Sequence, residues 1–279
     1  MTKTHMIRKA HRTPASAVAL GLSFAALRAL PLRQATGAYL GPCERAGSRR
    51  VKLAAAASAE SLPSWLSIVQ VDLYADVACP WCYVGKRNLD LAAEEFGSDR
   101  VAVSCLPFIV DSGVHTQGEE YAAYTRRRWG GDGWTLPLRR MAAAAGGAFR
   151  NWRWWPASMP AHRLVRLARS RGISTSTTTA LIFEALYEEG SNISEARALA
   201  RLAASRLGLD EAEVLRHLES TDGIEELLAE IEEGRRRHGF SSVPHFVVRS
   251  STCSQQYSLT GAHPPEQFLE LFRKVCNEE

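Results

Sequence analysis

Two cysteines stand where an apolar run gives way to an amphipathic one, in Val71-Asp72-Leu73-Tyr74-Ala75-Asp76-Val77-Ala78-Cys79-Pro80-Trp81-Cys82-Tyr83-Val84-Gly85-Lys86. A Cys-x-x-Cys at a strand-to-helix junction has the geometry of a dithiol redox centre. The strand end sets where the first sulfur sits. The helix start aims free N–H groups and the positive end of its dipole at that sulfur, and a thiolate is the attacking species in disulfide exchange. A zinc site would need a second pair of Cys or His ligands at suitable spacing. The chain has no further Cys-x-x-Cys and no His-x-x-x-His, so no metal is expected. An inert buried pair is the remaining alternative. Against it, Pro80 suits the first helical position and presets the turn.

Charge is unevenly spread over the 279 residues. Residues 1–60 hold ten Lys/Arg against Glu44 and Glu60, whereas the remainder carries 24 basic and 28 acidic side chains. The basic excess therefore belongs to a leader and not to a folded face, and no nucleic-acid partner is expected. That leader, rich in Ala, Arg and Ser, has the composition of an organelle transit peptide. Its apolar stretch 16–27 has the length of a signal-peptide core and is too short to span a membrane. A plastid or mitochondrial address, or a signal followed by a transit region, is expected; a tail without an address is the alternative. No later stretch approaches the roughly 18 apolar residues of a membrane helix, so no span is expected in the mature protein.

The remaining cysteines sort by context. Cys43 lies in the leader, and Cys105 in Val101-Ala102-Val103-Ser104-Cys105-Leu106 reads as a small buried hydrophobe. Cys253 and Cys276 read as separate thiols, with a second disulfide or a relay to the active pair as the alternatives.

Pattern and punctuation predict a first strand over 65–74, a helix from Cys79 to Phe96 stopped by Gly97, and a parallel second strand over 101–109. Helical periodicity then runs from 119 to 238, with helices predicted over 119–128, 136–148, 161–171, 177–189, 194–206, 211–219 and 224–237. Strand character resumes in 243–248 and 257–260, and a last helix spans 265–276. Pro244 cannot donate to a ladder, so it marks a strand edge or a cis turn. The resulting division is a leader over 1–60, sheet segments over 65–112 and 239–279, and a helical insertion over 113–238. Within the insertion, Trp129, Trp134, Trp152, Trp154 and Trp155 suit either a binding groove or the glue between insertion and sheet.

Several of these motifs, in one unbroken order, carry a family resemblance. Cys79-Pro80-Trp81-Cys82-Tyr83-Val84-Gly85-Lys86, Ala161-His162-Arg163-Leu164, Glu189-Gly190-Ser191-Asn192-Ile193, Val243-Pro244-His245-Phe246 and Thr260-Gly261-Ala262-His263-Pro264-Pro265 resemble the FrnE-like branch of the DsbA family. Related branches are the 2-hydroxychromene-2-carboxylate isomerases and kappa-class glutathione transferases. The resemblance implies an α/β, thioredoxin-like fold with a large all-helical insertion. It implies a cis Pro244, with Val243 and Pro244 beside Cys79 and the Val243 main chain offered to an extended substrate.

Sulfur chemistry then makes an exposed Cys79 the nucleophile and the more buried Cys82 the resolving thiol, with Pro80 and Trp81 supporting the site. Trp81 brings no charge to the sulfurs. His263 replaces the Gln usual in this branch, and Ser158-Met159 replaces the Asn-Thr usual before His162. Each histidine is a candidate contact for substrate or glutathione, or a residue of the helix start (His263) or of a packed helix face (His162). Substrates are expected to be protein or small-molecule thiols and disulfides, with a redox partner and no tightly bound cofactor; glutathione is a candidate co-substrate. A glutathione-dependent isomerase or transferase is the main alternative, but there a Ser usually replaces the first cysteine. A non-catalytic, chaperone-like binder is the other.

Overall fold

The structure, a computed structural model, describes residues 69–251 and 255–276. The leader, Cys43, Cys253 and the expected strand residues 65–68 lie outside the described residues.

Strand β1 (Val69–Ala75) alternates in the way its sequence asks. Val69, Val71, Leu73 and Ala75 join one apolar cluster, while Tyr74 belongs to a second. Helix α1 (Pro80–Phe96) follows, and β2 (Val101–Pro107) pairs with β1 in parallel, Val71 opposite Val103. The second strand stops at Pro107, short of the predicted 109, and Phe108 N–H makes the closing bond to Ala75 O at 3.0 Å. Far along the chain, β5 (His245–Ser250) pairs antiparallel with β1, and β6 (Gln256–Thr260) pairs antiparallel with β5. The sheet order is β2-β1-β5-β6. The final helix α9 (Pro265–Cys276) packs beside α1, β1 and β5.

All the intervening helices lie between β2 and β5 in the chain: α2 (Tyr121–Trp129), α3 (Thr135–Ala144), α4 (Met159–Ser170), α5 (Thr175–Tyr187), α6 (Ala196–Leu207), α7 (Glu211–Glu219) and α8 (Ile224–His238). Helix α8 crosses the Tyr74 side of the sheet. A Cβ on Gly234 would lie 2.4 Å from Tyr74 Cε1, so only glycine admits this approach. Arg163, buried on α4, donates to Leu218 O and Asp222 O, both at 3.0 Å. It thereby satisfies the Leu218 carbonyl, which the end of α7 leaves without a helical partner, and the Asp222 carbonyl in the turn that follows.

One feature escaped the sequence pattern. Strands β3 (Glu119–Glu120) and β4 (Trp154–Trp155) form a two-residue antiparallel ladder, too short for any periodicity to reveal. The helix predicted from 119 therefore starts at Tyr121, where the Glu120 carboxylate accepts from the Ala122 and Ala123 amides.

Candidate active site

Beyond Ala75 the chain turns through Asp76, Val77 and Ala78, and Cys79 caps α1 in an extended conformation (φ −90°, ψ 115°). Cys79 N–H donates to Asp76 O at 3.0 Å, and the Cys82 and Tyr83 amides converge on Cys79 O at 3.0 and 3.2 Å. Pro80, at the first helical position, has no N–H to leave unpaired. Both sulfurs are thiols. The contrast in exposure expected between them is small: Cys79 is 8% exposed and Cys82 0%. Val77 and Cys79 are drawn into the same apolar cluster as Cys82 and Val84, which covers the sulfur expected to be open. Burial pushes the Cys82 thiol well up, reinforced by its hydrogen bond to Cys79 and the charges of Cys79 and Asp76, and opposed by a bond from the Asp76 main chain.

The turn is gripped from two helices of the insertion. Tyr187, at the end of α5, donates its buried hydroxyl to Ala78 O at 2.9 Å. His162, on α4 and 4% exposed, lies with Nε2 3.4 Å from Asp76 Oδ1. It sits on a packed helix face and has almost no surface to offer a substrate. Asp76 itself, 1% exposed, accepts from the Ala78 amide at 2.9 Å and from the Val110 amide at 2.7 Å.

Val243-Pro244 is a cis peptide. Pro244 is buried and faces α1, where a Cβ on Gly85 would come within 2.9 Å of Pro244 Cγ and 3.1 Å of Phe246 Cζ. Val243 is half-buried and touches both apolar clusters; Trp81 is also half-buried. His263 has both ring nitrogens engaged, Nδ1 with Gln267 and Nε2 with Thr260 O at 3.1 Å, and its carbonyl accepts from Asn88 at 2.7 Å. That is the geometry of a helix-start residue tying α9 to α1. Among the described residues, no group of three or more His, Cys, Asp or Glu is placed to hold a metal.

Four contributors went unnoticed in the sequence: Asp76, Gly85, Tyr187 and Glu188. The Glu188 carboxylate collects Tyr83 Oη at 2.7 Å and the Ala148 and Phe149 amides at 2.9 Å, pinning Phe149 at its positive φ of 49°. Burial pushes this carboxyl up, but the hydrogen bonds together outweigh it and hold it below its ordinary value. Trp129, Trp134, Trp152 and Trp155 form a continuous aromatic cluster within the insertion, Trp155 stacked on Tyr124 at 4.3 Å and Trp152 edge-on to Tyr187 at 5.2 Å, and Tyr187 stacks on Tyr83 of α1 at 5.1 Å. They join insertion to α1, with the edge of Trp129, 37% exposed, reaching solvent.

A family model described as DSBA-like thioredoxin domain matches residues 70–273. The chain belongs to this family. Its fold agrees with a probable DsbA oxidoreductase from Streptomyces coelicolor, at 27% identity and a TM-score of 0.65 over 76% of this chain and 91% of that one. The cytosolic disulfide reductase DsbM from Pseudomonas aeruginosa superposes at 21% identity and a TM-score of 0.52, covering 75% and 95% of the two chains. A 2-hydroxychromene-2-carboxylate isomerase shares the fold at 15% identity and a TM-score of 0.54, covering 75% and 97%. No curated protein matches the sequence significantly. The DsbA-like domain makes the protein an oxidoreductase of thiol–disulfide exchange. Among its described residues no helix is long and apolar enough to cross a membrane.

Proposed function

We propose that Cys79 and Cys82 form the redox-active pair, Cys79 as nucleophile and Cys82 as resolving thiol. The supporting observation is their placement: Cys79 is the residue that caps α1, and Cys82 lies fully buried one turn further on. The helix dipole favours negative charge on a sulfur at such a cap. The Cys79 thiolate attacks a substrate disulfide, forming a mixed disulfide and releasing one substrate sulfur as thiolate. Cys82 then loses its proton and attacks Cys79 Sγ. The Cys79–Cys82 bond forms, the bond to substrate breaks, and the second substrate sulfur leaves as thiolate; both released thiolates take protons from solvent. The substrate gains two electrons and the enzyme dithiol loses them. The reverse sequence oxidises a substrate dithiol.

Substrates in this reading are protein or small-molecule thiols and disulfides, bound in part as an added strand along the Val243 main chain. Glutathione serves as a co-substrate, a role in keeping with the DsbM structure solved with glutathione. Residues 1–60 act as the targeting leader to a plastid or mitochondrion. Insulin reduction and scrambled-ribonuclease refolding by wild type and Cys79→Ser test the pair. Activity is expected to vanish in the variant, and equal activity in both proteins overturns the proposal.

A further inference from the structure

A recess that the exchange reaction does not use lies on the far face of the sheet. Cys79 and Cys82 belong to the apolar cluster that includes α1, whereas Tyr74 belongs to the one beneath α8. Beside the last turn of α8 the strands border a cavity of about 430 Å³. It is lined in part by Asp72 and Tyr74 of β1, Arg249 of β5, Arg169 of α4, Thr175 of α5 and Arg237 of α8. Basic groups there outnumber the acids that answer them. Arg249 is held by Asp72 and by Gln70, the latter at 3.0 Å. Arg169 reaches Glu230 at 3.3 Å, but Glu230 also takes Arg166 at 2.7 Å. Arg237 makes no hydrogen bond or ion pair among the described residues. Four guanidinium groups thus face two carboxylates, a surplus of two charges. The partial negative charge at the end of α8, about half a unit, does not cancel it.

Tyr74 adds a second, independent sign of a ligand. The residue is 6% exposed, its ring packed against Phe240 and His238 and under Gly234. Its hydroxyl nevertheless has no hydrogen-bond partner among the described residues. A covered hydroxyl without a partner is a cost that a bound acceptor removes. Burial pushes the phenol up, Asp72 adds to the rise, and Arg237 and Arg249 oppose it. The hydroxyl therefore keeps its proton and lies in the field of both arginines. Thr175 Oγ1 accepts from the Cys105 amide at 2.9 Å, which leaves its own proton to donate.

We propose that this cavity is a binding site for a small phosphate ester, its phosphate held by Arg237, Arg169 and the Tyr74 hydroxyl. The surplus of two positive charges matches a phosphate monoester, which carries about −1.5 to −2 near neutral pH. Guanidinium forks and hydroxyl donors are the groups that suit its several oxygens. The volume exceeds what a phosphate alone fills and leaves room for the organic part of the ester. The concave shape selects a small soluble ester over a flat anionic surface. The site stands apart from the dithiol and does not depend on the exchange reading.

The test titrates glycerol 3-phosphate into the full-length protein by calorimetry, at about 0.15 M salt so that diffuse attraction is screened. Wild type is expected to bind one equivalent with Kd below about 1 mM, and glycerol not at all. Arg237→Gln removes the unpaired cation, and Tyr74→Phe removes the hydroxyl while keeping the ring under α8. Each is expected to weaken binding about tenfold, with a cooperative thermal transition and the wild-type alkylation rate of Cys79 retained. Arg236→Gln removes the same charge from a neighbouring position on α8, paired with Glu233 and outside the cavity lining, and is expected to change Kd less than about twofold. No heat of binding at about 10 mM ester overturns the inference. So does binding that either cavity variant leaves unchanged, or that Arg236→Gln weakens equally. Capture by phosphatidic acid vesicles that glycerol 3-phosphate fails to relieve assigns the arginines to a membrane surface and overturns the small-molecule site.

Discussion

The sheet with α1 and the helical insertion divide the labour unequally. The atoms proposed to react all belong to the first: both sulfurs and the cap lie at the start of α1, and Pro244 precedes β5. What holds those atoms comes largely from the second, through Tyr187 on Ala78, His162 on Asp76, and the aromatic stack that ends on Tyr83. The lesson is that a dithiol written in four consecutive residues is held in place by contacts made more than eighty residues away.

The largest effect should come from the sheet side. Cys82→Ala leaves a nucleophile without a resolving thiol, so turnover should be abolished and mixed disulfides should accumulate on non-reducing gels. A variant that turns over normally would break the division at its centre. On the insertion side, Trp152, 7% exposed, packs against Tyr121, Phe149, Trp155 and Tyr187. Trp152→Ala should cost about 3–5 kcal/mol in chemical denaturation, while the alkylation rate of Cys79 in the still-folded protein stays near wild type. A changed rate would show that the stack shapes the chemistry as well as the fold.

His245 sharpens the comparison from beside the cis proline. Its ring stacks on Phe240, Nδ1 meets Thr260 Oγ1 at 2.7 Å, and Nε2 has no hydrogen-bond partner. Burial, and then His238, bring its pKa down from 6.5 to about 4. Below pH 6.5 the unfolded chain takes up a proton that the folded chain refuses, so stability is lost as pH falls toward 4. The loss should approach roughly 3 kcal/mol, and unfolding of His245→Asn across that window should show a flatter limb. Gly85→Ala forces a Cβ against Pro244 and should cost about 1–3 kcal/mol, with activity falling because the proline must move. Tyr187→Phe should cost about 1–2 kcal/mol by stranding the Ala78 carbonyl. No change in denaturation would mean that the insertion does not grip the turn there.

Legibility followed sequence distance. The strand–Cys-x-x-Cys–helix junction, the Gly97 stop and the helices of the insertion were readable because each is built from neighbours along the chain. The ladder between Glu119–Glu120 and Trp154–Trp155 was not, since two residues cannot display a period. Arg163 appeared in a matched motif, but its task at the end of α7 depends on carbonyls 54 to 59 positions away.

By itself the sequence determined that a dithiol would sit at a helix start, that Pro244 would lie at a strand edge or in a cis turn, and that a helical block would interrupt the sheet. These follow from local propensity, backbone chemistry and periodicity. Only the tertiary structure decided that Cys79 is almost as covered as Cys82, that Gly85 is small because Pro244 presses on it, and that Asp76 meets His162. Burial and contact are properties of the packed chain. A residue's share of them depends on side chains that nothing in its own neighbourhood of sequence specifies.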